Sequence, residues 1–167
     1  LGKMSINELT SSRYRGLGPA KAVTILAACE LGKRRQLEKA EERPRMDSAD
    51  AIYEYMHPRM QDLAMEQAWA LLLNQNFGLI RAMQISQGGI SGTAVDVRVV
   101  LKEALLNNAT VVALCHNHPS NNTTPSGEDN RLTQRLQKAC EAMSIYLLDH
   151  VIVTDGKYYS YRENGKI

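Results

Sequence analysis

The chain has 167 residues, a length that suits one ordinary domain with a small appendage. Apolar residues make up 44% of it and charged residues 23%, as in a soluble globular protein. No low-complexity tract predicts disorder, and no apolar run approaches the roughly 18 residues that a membrane span needs. Three widely spaced cysteines form no disulfide framework, so we expect a reducing, cytoplasmic location. The chain starts at Leu1 without a charged-then-apolar leader, so we expect no export and a fragment of a longer protein.

The net charge of +2 conceals an uneven distribution. Residues 1–45 hold ten Lys/Arg and five Asp/Glu, a balance of +5, whereas residues 46–167 have a balance of −3. We therefore predict a basic helical segment with a linker over 1–45 and a separate domain over 46–167.

Helical spacing dominates the first segment. Pro19 suits a first helical turn, and Ala20 to Leu31 is rich in Ala, Leu and Ile. Gly32 is the predicted end of this helix. Residues 36–46 are almost all charged or polar, which predicts a solvated linker or an exposed helix.

Helical and strand patterns alternate through the second segment. In chain order they predict a helix capped by Ser48, a strand over 68–73 with a hairpin partner over 79–86, a helix over 95–107, a central strand over 110–115, a helix over 129–143, and strand segments over 145–148, 151–154 and 158–161. This order predicts an α+β (mixed α/β) fold with one central sheet.

A pair of histidines follows the predicted central strand. His116 and His118 are two residues apart, so in an extended backbone both imidazoles point to the same side. Asp129 comes after ten further residues, at the predicted start of a helix, and the connecting loop is long enough to return it to the histidines. Two histidines and a carboxylate are a common catalytic zinc set. A His-x-His pair alone also fits ordinary surface or core histidines, and both interpretations stay open on this pattern.

The longer pattern resembles a known family. His116, His118, Pro119, Ser126 and Asp129 meet the JAMM (MPN+) signature of His-x-His-Pro, six residues, Ser, two residues, Asp. The run His-Asn-His-Pro-Ser with Leu-Asp-His-Val-Ile-Val at 148–153 resembles the RadC family, the bacterial branch of that fold, formerly labelled DNA repair proteins. The resemblance covers roughly residues 47–167. It implies a JAMM/MPN-like (cytidine deaminase-like) sheet flanked by helices, and residues 1–35 resemble the family's helical N-terminal part.

The resemblance also implies roles for individual residues. His116, His118 and Asp129 would ligate Zn²⁺, and Ser126 would donate a hydrogen bond to the oxyanion of a tetrahedral intermediate. Glu66, just before the first core strand, would take a proton from zinc-bound water.

Other residues near the motif have alternative interpretations. Glu103 and Glu128 compete with Glu66 for the catalytic role, although Glu128 is better placed to support the start of a helix. Asn121 stands where many RadC-like chains have Gly, and because Asn best substitutes for Gly at positive φ, we expect the loop to keep its conformation. Cys115 is expected to pack in the strand, and His150 to pair with a neighbour in the sheet rather than with metal.

The basic segment contains a possible phosphate site. The run Gly16-Leu17-Gly18-Pro19-Ala20-Lys21-Ala22 resembles a helix-hairpin-helix, in which a Gly-x-Gly turn exposes backbone N–H groups. Weak, non-specific DNA binding through Gly16, Gly18 and Lys21 is one interpretation, and a helical packing module with a solvated basic face is the other.

These observations lead to three hypotheses. The first is a zinc-dependent hydrolase of amide or isopeptide bonds, acting on an unknown peptide or protein substrate. The second is a DNA-associated repair or recombination factor whose metal site has another use. The third is a catalytically silent scaffold. We expect no membrane partner under any of them.

Overall fold

A computed structural model describes residues 4–37, 43–88 and 95–167. The chain divides into two compact units, Leu1–Glu42 and Arg43–Ile167. Among the described helices, none combines the length and the apolar character required to cross a membrane.

The described residues of the first unit, 4–37, form two helices. Helix α1 (Ile6–Leu9) begins with a reciprocal cap, in which Ser5 Oγ accepts the Glu8 N–H and the Glu8 carboxylate accepts the Ser5 N–H. Helix α2 (Pro19–Leu37) starts at the predicted proline. The predicted end of this helix at Gly32 is wrong, because α2 continues for five more residues. A glycine in a helix costs only about 1 kcal/mol relative to alanine, and the Glu30–Arg34 ion pair bridges the turn that contains it.

The second unit is a five-stranded mixed sheet with helices on both faces. Its elements are α3 (Ala49–Met60), β1 (Gln67–Leu73), β2 (Leu79–Gln87), α4 (Val97–Leu106), β3 (Val111–Asn117), α5 (Gly127–Ala142), β4 (Tyr146–Thr154) and β5 (Lys157–Ser160). The strand order is β2-β1-β3-β4-β5, and only β3 and β4 are parallel. The predicted α+β class with one central sheet is confirmed.

Alternation along the strands builds a core on each face of the sheet. Residues such as Leu71 and Cys115 point toward α3, whereas their neighbours Leu72 and Leu114 point toward α4 and α5. Every residue of β3 is buried, as expected for a central strand covered on both faces. The site described below is at the carboxyl end of this strand.

The solvated linker or exposed helix predicted over 36–46 is only partly correct. Helix α2 includes residues 36–37, and residues 38–42 lie outside the described part of the chain. Arg45 instead forms an antiparallel bridge to Gly78, and Met46 is buried in the core beside α3. The division between the units therefore falls at 42/43, three residues before the predicted boundary at 45/46. The bridge joins positions 33 residues apart. The charge distribution, on which the predicted boundary is based, does not indicate such a pairing.

The strand segments predicted over 145–148 and 151–154 form one continuous strand, β4. A register irregularity occurs opposite Val112 and Ala113, where Leu147 and Asp149 are successive partners. The polar pair Asp149 and His150 is accommodated inside the strand because both side chains have buried hydrogen-bond partners.

Candidate metal centre

Three potential metal ligands meet at the end of β3. His116 belongs to the strand itself, and His118 is the first residue beyond it. Asp129 lies in the first turn of α5, which faces the end of the strand. One ligand atom from each of these residues lies within 4.8 Å of the other two, so the group could hold a metal ion.

The distances within this group are close to those of a tetrahedral site. His116 Nε2 lies 2.9 Å from His118 Nε2, and Asp129 Oδ1 lies 3.2 Å from His116 Nε2. Asp129 Oδ2 is 3.6 Å from His118 Nε2. Zinc bonds of about 2.0–2.1 Å with tetrahedral angles place ligand atoms roughly 3.3 Å apart. The three side chains therefore fit zinc with small adjustments.

The hydrogen bond made by His118 Nδ1 determines whether His118 Nε2 can bind a metal ion. His118 Nδ1 donates a hydrogen bond to the Asn122 carbonyl at 2.6 Å. When His118 is neutral, its single hydrogen is on Nδ1 and Nε2 is free to bind a metal ion, whereas the protonated ring also carries a hydrogen on Nε2 that faces Asp129. A lone pair beside a carboxylate favours a cation at this point, and hydrogen bonding of the outer nitrogen is typical of metal-binding histidines.

Asp129 is held by the start of its own helix. Ser126 is the N-cap of α5, and its Oγ accepts the Asp129 N–H at 3.1 Å. In return, Asp129 Oδ2 accepts the Ser126 N–H at 2.8 Å. This capping box fixes the carboxylate with Oδ1 toward His116. The cap uses the serine oxygen only as an acceptor, so its O–H can still donate.

The protonation states of Asp129 and His118 depend on each other. Burial opposes ionisation of Asp129, but hydrogen bonds with His116 and His118 outweigh it and hold the Asp129 pKa far below its ordinary value. The pKa of His118 is raised, chiefly by its hydrogen bond to Asp129, with a smaller contribution from the charge of Glu66. The site thus combines a stable carboxylate with a preference for positive charge beside it.

Glu66 lies just before β1 and lines the same cavity as the three ligands. The cavity has a volume of about 530 Å³, and Ser126 also lines it. The structure therefore brings together all five residues that the JAMM resemblance implies. Of the competing glutamates, Glu103 lies on α4 and its carboxylate is 3.5 Å from the Arg81 guanidinium on β2. Glu128 lines the cavity in the first turn of α5, where its carboxylate is 3.6 Å from Arg131.

The backbone around Glu66 is fixed by a residue between the two ligand histidines. Asn117 Oδ1 accepts the Gln67 N–H at 2.8 Å, and Asn117 Nδ2 donates to the Met65 carbonyl at 3.2 Å. The Glu66 carbonyl in turn accepts the Gly88 N–H at 2.9 Å. Nothing in the sequence singles out Asn117 except its place in the motif, because its partners lie about 50 residues earlier.

The neighbouring residues behave as their strand positions predict. Cys115 points away from the ligands into the core beside α3, and burial raises the pKa of its thiol. His150 contacts His116 on the adjacent strand β3, two residues beyond its register partner Leu114, with His150 Nε2 2.8 Å from His116 Nδ1. Asn121 has a φ of 59°, the positive value expected for a residue that replaces glycine.

The predicted phosphate-binding turn lies in the first unit. Gly16 has a φ of +83°, a conformation that favours glycine. Gly18 directly precedes Pro19, where α2 begins. Lys21 Nζ donates to the Gly16 carbonyl at 3.2 Å, so the lysine closes the turn. DNA binding by this turn stays a prediction.

Comparison with known proteins defines the class. The family model of the RadC-like JAB domain matches residues 46–166, and the chain belongs to this family. The resemblance drawn from the His-Asn-His-Pro-Ser motif is thus confirmed.

Named relatives cover nearly the whole chain. A UPF0758 protein of Flavobacterium johnsoniae is 42% identical over 165 residues, which are 99% of this chain and 71% of the relative. A UPF0758 protein of Porphyromonas gingivalis is 42% identical over 166 residues, covering 99% of this chain and 73% of the relative. A third, from Methanococcoides burtonii, is 36% identical over 167 residues, covering 100% and 72%.

Proposed function

We propose that this protein is a zinc-dependent hydrolase that cleaves an amide or isopeptide bond in a peptide or protein. The observation that carries the proposal is the convergence of His116, His118 and Asp129 beside a cavity that Glu66 and Ser126 also line. Membership of the RadC-like JAB family supports it, because the JAMM-type resemblance implies this chemistry.

Three protein ligands leave one coordination position for water or substrate, as in catalytic zinc sites. Bound zinc would polarise a carbonyl oxygen and lower the pKa of coordinated water to about 7. The two histidines and the aspartate supply a net charge of −1, which partly balances a divalent cation. The remaining chemistry belongs to residues of the chain itself.

Glu66 is placed to move a proton. Its carboxylate faces the cavity from the start of β1, close enough to influence the pKa of His118. In the proposed reaction it accepts a proton from the attacking water and returns it to the amine that leaves. The contacts of Asn117 hold the backbone on both sides of the glutamate.

Ser126 is placed to stabilise negative charge. Its oxygen is held by the Asp129 N–H, and its hydroxyl hydrogen can donate to an oxyanion in the cavity. A fixed donor of this kind strengthens its hydrogen bond as charge develops on the substrate carbonyl, and it therefore lowers the barrier rather than only improving binding.

The test is metal analysis combined with a peptide-library cleavage screen on the zinc-loaded full chain. We expect one zinc per chain, loss of zinc in His118→Ala, and loss of cleavage with retained zinc in Glu66→Gln. Glu103→Gln is the matched control, since Glu103 contacts Arg81 and is not among the residues that line the cavity. Wild-type protein without stoichiometric zinc, or a fully active Glu66→Gln variant, would contradict the proposal.

We also propose DNA association as a second candidate function, supported by the charge of the first unit. Arg34 and Arg35 lie in the last turn of α2, and the Arg34 side chain is 74% exposed. If they contact phosphates, replacing both by Ala should weaken binding to duplex DNA. The number of counterions released on binding, measured from the salt dependence of the affinity, should fall by about two. Replacing Arg98, an exposed arginine of the second unit, by Ala is the control. Equal affinities in low salt for all three proteins would eliminate this candidate.

A further inference from the structure

A row of buried polar side chains connects two of the candidate ligands from behind the cavity. His116, Thr133 and His150 are exposed by only 5%, 1% and 0%. His116 Nδ1 lies 2.8 Å from His150 Nε2, and His150 Nδ1 lies 2.6 Å from Thr133 Oγ1. Thr133 Oγ1 lies 2.7 Å from the carbonyl oxygen of Asp129. The row therefore begins at one ligand and ends at the main chain of another.

The direction of these hydrogen bonds follows from the last contact. A carbonyl oxygen has no proton, so the Thr133 hydroxyl must donate its only proton to Asp129. The Thr133 oxygen is then the acceptor toward His150, whose Nδ1 must carry a hydrogen. A neutral imidazole with a proton on Nδ1 offers Nε2 as an acceptor. His150 Nε2 therefore accepts from His116 Nδ1–H.

We propose that His150 is a positioning residue for the metal centre, which holds His116 in the tautomer with its hydrogen on Nδ1, so that Nε2 is the nitrogen available to a metal ion. The opposite tautomer would place a hydrogen on His116 Nε2 and block it as a ligand. The inference rests on the metal site of the proposed function. It adds two residues, His150 and Thr133, that lie outside the JAMM signature.

The ring of His150 is itself held in place. Tyr161 stacks on it with ring centroids 4.8 Å apart and an interplanar angle of 7°. The Tyr161 N–H also donates to the His150 carbonyl at 3.0 Å, and the Tyr161 hydroxyl donates to Asn130 on α5. His150 thus cannot rotate without disturbing β4 and the chain after β5, and it offers His116 a fixed acceptor.

The first experiment measures Zn²⁺ affinity by competition with a chromogenic chelator. Loss of an outer hydrogen-bond partner of a metal ligand typically weakens binding by about 10–100-fold. We expect a loss of this size in Thr133→Val, which keeps the shape of the side chain but removes the hydroxyl, and near wild-type affinity in Thr133→Ser. His150→Leu should lose affinity, whereas His150→Gln should recover much of it, because its amide oxygen can accept the His116 hydrogen.

The second experiment observes the hydrogen on His116 Nδ1 directly, by long-range ¹⁵N–¹H NMR on the metal-free protein. We expect this hydrogen on His116 Nδ1 in the wild type, whether or not Nε2 is also protonated beside Asp129, and its partial loss in Thr133→Val. Because Thr133→Val changes little in volume, it keeps the test usable if His150→Leu fails to fold.

The outcomes separate this inference from the proposed function. Wild-type protein that binds zinc, together with a folded Thr133→Val variant of equal affinity and unchanged tautomer, would overturn the role of His150 and leave the proposed function intact. Wild-type protein that binds no zinc would overturn both.

Discussion

Asn117 occupies the position between the two ligand histidines, and its side chain is bound to the neighbouring strand. It accepts the Gln67 N–H and donates to the Met65 carbonyl, so it holds the peptide units on both sides of Glu66. One residue of the motif therefore links the metal ligands to the proposed proton carrier. Asn117 is not among the residues to which the JAMM resemblance assigns a role.

Replacing Asn117 by Ala tests that link. We expect cleavage to fall by roughly 10–100-fold, because a displacement of about 1 Å in a catalytic group can cost this much, while zinc affinity stays near that of the wild type. The measurements are kcat and chelator competition on the same preparation. Asn107→Ala removes an amide that caps α4 and is the control. Full activity in Asn117→Ala would show that Glu66 needs no such support.

Ser126 has two separable roles, because its oxygen caps α5 and its hydroxyl hydrogen can donate into the cavity. Ser126→Ala should lose about 1 kcal/mol of the free energy of unfolding with the cap. Ser126→Gly should lose only a few tenths of a kcal/mol, since Gly is tolerated at an N-cap. Neither variant has a hydroxyl, so both should lose about 10²–10³-fold in kcat if the hydroxyl stabilises an oxyanion. Denaturant unfolding and kinetic assays together distinguish the roles, and a fully active Ser126→Gly would exclude the oxyanion role.

At the level of elements, strand β4 joins the metal centre to the end of the chain. His150 points to the ligands, whereas the preceding residue, Asp149, accepts hydrogen bonds from the His150 N–H, the Arg162 N–H and the Ser160 hydroxyl. Asp149 thereby fastens the turn after β5 to β4. Tyr161, which stacks on His150, lies within that turn.

Asp149 is nearly fully buried, and burial raises its pKa despite these hydrogen bonds. The unfolded chain therefore ionises this carboxyl at a lower pH than the folded chain, and its contribution to stability falls as pH rises through that interval. The Asp149→Asn variant has no ionisable group at this position, so its free energy of unfolding does not fall with pH for this reason. We expect the free energy of unfolding of the variant, relative to wild type, to be higher at about pH 7 than at about pH 4. Urea unfolding at both pH values measures it, and a difference independent of pH would contradict the shift.

The sequence contains enough information to predict the elements that carry local patterns. The β-branched run ending at Cys115 marks the central strand, and Ser126 with Asp129 marks the start of α5. The His-x-His spacing, extended by the JAMM signature, identifies the ligands. Features that depend on distant partners are not predictable in this way. The Arg45–Gly78 bridge, the contacts of Asn117 and the pairing of His116 with His150 follow from strand register, which no local pattern specifies.

The whole molecule has three free cysteines, which differ in their accessibility. Cys115 and Cys140 are fully buried in the second unit, and burial raises the pKa of Cys140 to about 11. Cys29 in α2 is partly exposed. An aromatic disulfide reagent at neutral pH should therefore modify Cys29 alone in the folded protein, and all three thiols in denaturant. Cys29→Ser should leave the folded protein unreactive, and rapid labelling of that variant would show that the second unit opens more readily than its packing implies.

The capping box between Ser126 and Asp129 makes folding and ligand binding linked equilibria. The same carboxylate closes the first turn of α5 and faces the two histidines, so a cation held there is bound only when the helix begins at Gly127. Under the proposed function, zinc at about 100 times its Kd would raise the free energy of unfolding by roughly 2.7 kcal/mol. Chelation would reverse this gain, with the earliest increase in amide hydrogen exchange in the first turn of α5. Metal supply would then set how long the folded chain persists, as well as whether it is active.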